Sequence, residues 1–180
     1  SKGYEYKAKL TILKEAARTL NYLTENNLLQ YADLEKKVED IHSSYDRTGK
    51  ELKGVEARLR EVQPLIKNIS NYQRLKPVYD AFQKAKDKPG FKAKHEAELV
   101  IFEAARSTLL AMQGDEKLPS LKTLKAEQAQ LFEEQERLYA ERNRLKKEAK
   151  QIETIKSNVD TFLAPSADHD RDHLRSTQRE

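Results

Sequence analysis

Cysteine is absent from the 180-residue chain, so disulfides are excluded, and a reducing cytoplasm is compatible with that. Tryptophan is absent too, and glycine and proline number only five each. No apolar run approaches the ~20 residues of a membrane span, and no signal-peptide pattern opens the chain. Methionine occurs once, at Met112, and the chain starts Ser1-Lys2-Gly3. The expectation is a piece of a longer polypeptide whose other part carries any chemistry. With 37% hydrophobic and 36% charged residues, composition argues against a compact globule and for a surface-rich helical body. A solvated, disordered chain would share this composition, but the heptad patterning described next counts against it. The net charge of +4 is a weak pointer to nucleic acid when spread over a long body; local clustering says more.

What is present is a seam. Apolar or near-apolar residues recur at Leu34, Val38, Ile41, Tyr45, Thr48, Leu52, Val55, Leu59, Val62, Ile66 and Ile69. The steps alternate between 4 and 3, the 3.5-residue repeat of a coiled coil, and only Thr48 is weak. A second run, Leu124, Leu131, Leu138, Leu145, Ile152 and Val159, repeats every seven residues. Polar Gln128, Gln135 and Arg142 alternate with these leucines, weakening the seam and setting register. Phe132 and Tyr139 lie beside the stripe and are expected to compensate.

The helices follow. Residues 1–9 read as a basic, aromatic lead-in. The first helix is expected over 10–26, with Leu10, Leu13, Ala17 and Leu20 on one face, widened by Ile12, Ala16 and Leu23. That stripe is expected to pack on the base of the long helices. Asn26 and Asn27 suit a helix end. Asp33 suits the N-cap of a long helix over 33–73, roughly 60 Å at 1.5 Å per residue. Pro64 predicts a kink and not a break, because the heptads stay in phase on both sides. Pro77 is expected to end that helix or to start a short one over 78–86. Lys88-Pro89-Gly90 reads as a turn, 91–112 as a further helix stopped by Gly114, and 120–163 as the second long helix with Ser120 as N-cap. The fold class is therefore all-α. The expected architecture over 1–164 is a single elongated module, an antiparallel coiled-coil hairpin with shorter helices at its ends. A homodimer would satisfy the same pattern. Residues 165–180 lack periodicity and read as a disordered tail.

Catalytic chemistry finds little support. His169 and His173 stand four apart among Asp168, Asp170 and Asp172, but in a polar tail that nothing preorganises. His95 reads as a packing or capping residue, and His42 as solvent-facing beside the seam. Attack on phosphate by a tyrosine needs a metal or dense polar partners, and no histidine cluster accompanies any of the eight tyrosines. Tyr22, Tyr31, Tyr45, Tyr72 and Tyr79 read as edges of amphipathic faces. There is no phosphate-binding glycine loop and no nucleophile elbow. No catalytic residue, metal or cofactor is expected.

The sharpest local signal is basic. Arg74, Lys76, Lys84, Lys86, Lys88, Lys92 and Lys94 oppose only Asp80 and Asp87, and Tyr72, Tyr79, Phe82 and Phe91 are interleaved. A phosphate-tracking surface has this composition. So does a lysine-rich solvated turn whose aromatics belong to the packing between helices. A second run, Arg137, Arg142, Arg144, Lys146, Lys147 and Lys150, is interrupted by Glu141 and Glu148 and reads as a solvated helix face.

Several stretches carry a resemblance. LKEAARTLNYLTENNLL at 13–29 and VYDAFQKAKDKPGFKAKHEAELVIFEAARSTL at 78–109 resemble parts of the C-terminal helical region of mobilisation relaxases of Gram-positive conjugative and integrative elements. In the latter stretch His95, Glu96, Ala104 and Ala105 match the family's helix. KLPSLKTLKAEQAQL at 117–131 and IKSNVDTFL at 155–163 are similar to its closing helix. Such relaxases nick one DNA strand at a transfer origin and join its end through a tyrosine, assisted by a histidine-bound metal. Those groups belong to an N-terminal nuclease domain, to whose histidine motif this chain has no match. The resemblance implies a non-catalytic, cytoplasmic accessory module that contacts origin DNA or partner proteins of the transfer complex. The alternative is a structural coiled-coil spacer or dimerisation arm without DNA affinity.

Overall fold

The computed structural model describes residues 1–114 and 117–164. Every element among them is an α-helix: α1 (Lys2–Glu25), α2 (Tyr31–Lys84), α3 (Lys88–Lys94), α4 (Glu96–Gln113) and α5 (Leu121–Leu163). The tail expected from 165 on, with His169 and His173, lies outside the described residues. The chain divides into two compact units, one taking in 1–48 and the chain from 141 on, the other 49–140.

The first unit packs α1 against the opening of α2 and the close of α5. Leu28, Leu34, Ile41, Ile152 and Ile155 form its core, with Tyr22, Leu23, Val38, Ala149 and Val159 against them. Each such aliphatic side chain contributes about 1.5–3 kcal/mol when fully buried. Polar groups line the edges of that core. The Tyr31 hydroxyl donates to Asp160 Oδ1 at 2.7 Å, His42 Nε2 lies 2.9 Å from Glu153, and the Arg142 guanidinium sits 4.6 Å over the Tyr45 ring. Partners fall from 160 to 142 as their mates rise from 31 to 45, so the two segments run in opposite directions within this unit. Thr48 is buried, and its hydroxyl donates to the Ser44 carbonyl at 2.8 Å, which explains how the weak seam position is tolerated.

The end of α1 shows why the asparagines matter. Asn27 has φ 56°, Leu28 N–H donates to the Leu23 carbonyl at 2.7 Å, and Asn27 N–H to Thr24 at 3.3 Å. That is a Schellman closure, completed by the apolar contact of Leu28 with Leu23. Three expectations fail in this unit. Residues 2–9, read as a lead-in, are helical. Asp33 is not an N-cap: the helix has already begun at Tyr31, and Asp33 sits in its first turn, where its charge suits the helix dipole. The face of α1 that packs is Thr19 with Tyr22 and Leu23; Leu13 and Leu20 are 65% and 58% exposed. Asn158 Nδ2 donates to Thr19 Oγ1 at 3.1 Å, which lets buried Thr19 and half-buried Asn158 hold α1 where leucines were expected.

The second unit has Val62, Ile69, Leu109 and Leu124 at its core, with Leu65, Ile66, Tyr72, Leu118, Leu121 and Leu131 around them. Arg58 grips Glu127 through Nε at 2.6 Å and Nη2 at 3.2 Å, a bidentate link that holds the Glu127 carboxyl below its usual range. Tyr139 donates to Glu56 at 2.6 Å. The compensation expected from Phe132 and Tyr139 is not apolar burial: they are 42% and 46% exposed. All eleven expected seam positions of α2 and all six of α5 are buried or half-buried.

Helix ends in this unit follow local chemistry. Ser120 Oγ accepts from Thr123 N–H at 3.1 Å, as an N-cap should, and Gly114 ends α4 with φ 52°. Lys88-Pro89-Gly90 is not a turn but the first turn of α3. Proline suits the start of a helix, and Asp87 caps it by accepting from Gly90 N–H at 3.0 Å. The helix expected over 91–112 is broken at His95, which ends α3 and opens α4. Pro64 leaves α2 unbroken, as expected, but so does Pro77: the segment 78–86, expected as a separate helix, is the end of α2 up to Lys84. The two prolines leave the carbonyls of Arg60 and Gln73 without a helical donor, and both residues are exposed, so water can serve them. Across Pro77 the helix is held from outside. Phe102, 2% exposed, stacks on Tyr72 at 5.0 Å and on Tyr79 at 4.5 Å, one on each side of the proline.

Candidate nucleic-acid interface

The seven basic residues singled out by sequence all lie in the second unit, but they are not equivalent. Arg74 and Lys76 stand on α2 above Pro77. Arg74 Nη2 contacts Asn71 Oδ1 at 3.4 Å, and Lys76 Nζ pairs with Asp80 at 2.8 Å. The Asp80 carboxylate accepts a hydrogen bond from Lys76 and holds its ammonium above the ordinary lysine range. Arg74 is about 15 Å along the helix from Lys84 at 1.5 Å per residue. These two are therefore set apart from the rest.

Lys84, Lys86, Lys88, Lys92 and Lys94 are the remainder. Lys84 ends α2, Lys86 lies in the connection, and the other three are on α3. All five are exposed, and none forms an ion pair among the described residues. The one acid between them, Asp87, spends a carboxylate oxygen on capping α3. Lys88 and Lys92 are one turn apart and share a helix face, while Lys94 leaves from another side. The geometry of α3 depends on Gly90. A Cβ there would collide with Asp87 Oδ2, so any side chain would dislodge the cap.

The interleaved aromatics do not face outward as a stacking platform. Tyr72 and Tyr79 are engaged by Phe102, Phe82 lies 6.1 Å from Phe91, and Phe91 stacks on His95 at 4.4 Å. His95 is thus a packing residue at a junction, as its sequence context suggested. Its Nδ1 is buried without a hydrogen-bond partner, and Glu98 Oε2 approaches to 3.5 Å without forming a bond. A groove of about 370 Å³ runs beside α3, lined by Phe82, Lys92, Leu99 and Val100 but also by Glu96 and Glu103. Two carboxylates there would repel a phosphate, so an anionic ligand would meet opposite charge on the lysine edge and not in the groove.

Arg106 was not among the expected residues. Its guanidinium carbon lies 5.9 Å over the Tyr79 ring, and Nη1 is 3.4 Å from the Tyr79 hydroxyl. It adds a cation beside Tyr79 of α2. No local charge run could have flagged it, since only packing brings α4 to Tyr79. The second basic run is paired only in part. Arg144 binds Glu141 at 2.7 Å and Glu148 at 2.8 Å, Arg137 binds Glu134, and Arg142 lies over Tyr45, whereas Lys146, Lys147 and Lys150 are exposed without an ion pair among the described residues. Among the described residues no group of three or more histidines and carboxylates could hold a metal ion, and no helix is long and apolar enough to cross a membrane. In comparisons with known proteins, the chain matches no family model, no curated protein and no solved structure.

Proposed function

We propose that this chain is a non-catalytic helical module that grips nucleic-acid phosphates through Lys84, Lys86, Lys88, Lys92 and Lys94, as an accessory part of a DNA-processing protein of the mobilisation-relaxase type. The scaffold in this reading is an antiparallel coiled-coil hairpin of α2 and α5, which the heptad steps favour. The observation that carries the proposal is the density of free cations: five exposed, unpaired lysines within eleven residues, around an acid already used as a cap. Lysine-rich exposed helix ends of this kind bind through charge and not through base-edge contacts. The module therefore supplies grip, and sequence choice lies elsewhere.

The test is a fluorescence titration of single- and double-stranded DNA at low salt, with the chain and with a variant carrying Lys84→Glu, Lys86→Glu, Lys88→Glu and Lys92→Glu. Binding by the wild type and its loss in the variant support the reading. No binding at low salt, or equal binding by both, discards it. One observation favours a second reading, a spacer or dimerisation arm without DNA affinity. The aromatics that could stack on bases are consumed in packing, which leaves charge as the sole means of holding DNA. Mass measured across concentrations detects the dimerisation version.

A further inference from the structure

The outward face of α1 is a second heptad seam that no other described residue covers. Tyr6, Leu10, Leu13, Ala17, Leu20 and Thr24 are spaced 4, 3, 4, 3 and 4. Leu10 is 37% exposed, Leu13 65%, Leu20 58% and Tyr6 66%. At 100° per residue this stripe lies roughly opposite Thr19, Tyr22 and Leu23, which dock α1 on its own unit. The stripe covers only the a and d positions of the repeat. That is the narrow seam one helix presents to another, whereas an in-plane membrane helix presents a broader apolar face.

The flanks decide what fits. In the register that puts Leu10 at a and Leu13 at d, the g positions run Lys2, Lys9, Ala16 and Leu23 and the e positions Lys7, Lys14 and Asn21, so the flanking charge comes from four lysines of the N-terminal half. All four lysines are exposed and unpaired among the described residues. A second copy laid parallel would set Lys2 against Lys7 and Lys9 against Lys14. An antiparallel copy in full overlap would set only Lys14 against Lys14, with Lys7 facing Asn21 and Lys9 facing Ala16 or Leu23, so the repulsion acts on the parallel pairing. Like charges across a seam choose against pairing. A helix with an apolar a/d stripe and glutamates or aspartates beside it would instead meet four opposite charges.

We propose that α1 is a docking helix for an amphipathic partner helix whose flanks are acidic opposite Lys2, Lys7, Lys9 and Lys14, and that these lysines reject a parallel copy of the same helix. The probe is a synthetic three-heptad peptide with leucine at a and d and glutamate at e and g, compared with the same peptide carrying lysine at e and g. Isothermal titration of the full chain should show the glutamate peptide binding about tenfold or more tightly than the lysine peptide, from four reversed pairs. Leu13→Ser with Leu20→Ser should abolish that binding with unchanged helicity, since both side chains are already exposed. Should that variant lose helix content, Lys7→Glu, Lys9→Glu and Lys14→Glu together carry the test by reversing the preference to the lysine peptide. Failure to bind the glutamate peptide, equal binding of both peptides, parallel self-association through this face, or binding to anionic vesicles that the same leucine changes abolish would each overturn the proposal.

Discussion

Removing the Phe102 ring should undo the end of α2. A proline inside a helix costs about 3 kcal/mol, and Pro77 would by that count end the helix. Two ring pairs at about 0.5–1.5 kcal/mol each recover much of this cost. Burial of Phe102 adds about 1.5–3 kcal/mol, so together these terms match or exceed the proline penalty. Phe102→Ala loses both terms and should destabilise the second unit by about 3–5 kcal/mol. Phe102→Leu keeps most of the burial, loses the stacks, and should cost about 1–3 kcal/mol. The informative readout is local. Native-state hydrogen exchange should show amides of 78–84 opening ahead of those of 52–69 in Phe102→Leu, whereas wild type protects both. DNA binding should weaken with it, because Lys84 and the α3 cap hang on that end of the helix. Unchanged protection of 78–84 in the leucine variant would refute the idea that Phe102 clamps the helix across its proline.

Other outcomes follow from particular contacts. Asn27→Gly should leave stability unchanged or raise it, while Asn27→Ala should cost about 1–2 kcal/mol by thermal melting, because φ there is 56° and alanine resists it. Ile152→Ala should cost about 2–5 kcal/mol in urea unfolding, whereas Leu13→Ala should stay within about 0.5 kcal/mol, since the first is fully buried and the second 65% exposed. Arg58 lowers the folded-state pKa of Glu127, so that group's contribution is complete above the ordinary carboxylate range and fades as pH falls through the lowered value. The pair is solvent-screened, so Glu127→Gln should cost about 0.2–1 kcal/mol at pH 7, with the difference from wild type vanishing in acid. Gly90→Ala should displace the Asp87 carboxylate, fray α3 and weaken DNA binding, measured by exchange of the α3 amides and by titration.

Much of this arrangement was legible before any coordinates. Seam residues such as Leu34, Leu59, Val62, Leu138 and Ile152 announce burial through spacing alone, because a 3.5-residue repeat leaves one stripe to hide. Helix ends fixed by a single residue, Asn27, Gly114 and Ser120, were equally readable. Some errors are local, such as the proline start of α3 under its Asp87 cap, while the larger ones come from contacts distant in sequence. Pro77 reads as a stop until Phe102, 25 residues later, is seen to bridge it. The leucine face of α1 reads as core, yet Thr19 with Asn158, 139 residues away, took that role. At the candidate interface, composition located the lysines but could not show that Lys76 is paired, that the tyrosines are engaged, or that Arg106 joins them.

The most direct measurement is the salt dependence of DNA affinity. If all five free lysines meet phosphates, the logarithm of the association constant should fall against the logarithm of salt with a slope near −4.5 on duplex and about −3.5 on single strands. Each lysine changed to alanine should make the slope shallower by a little under one. A slope near zero, or one that the lysine changes leave unaltered, would contradict the assignment of this surface to nucleic acid.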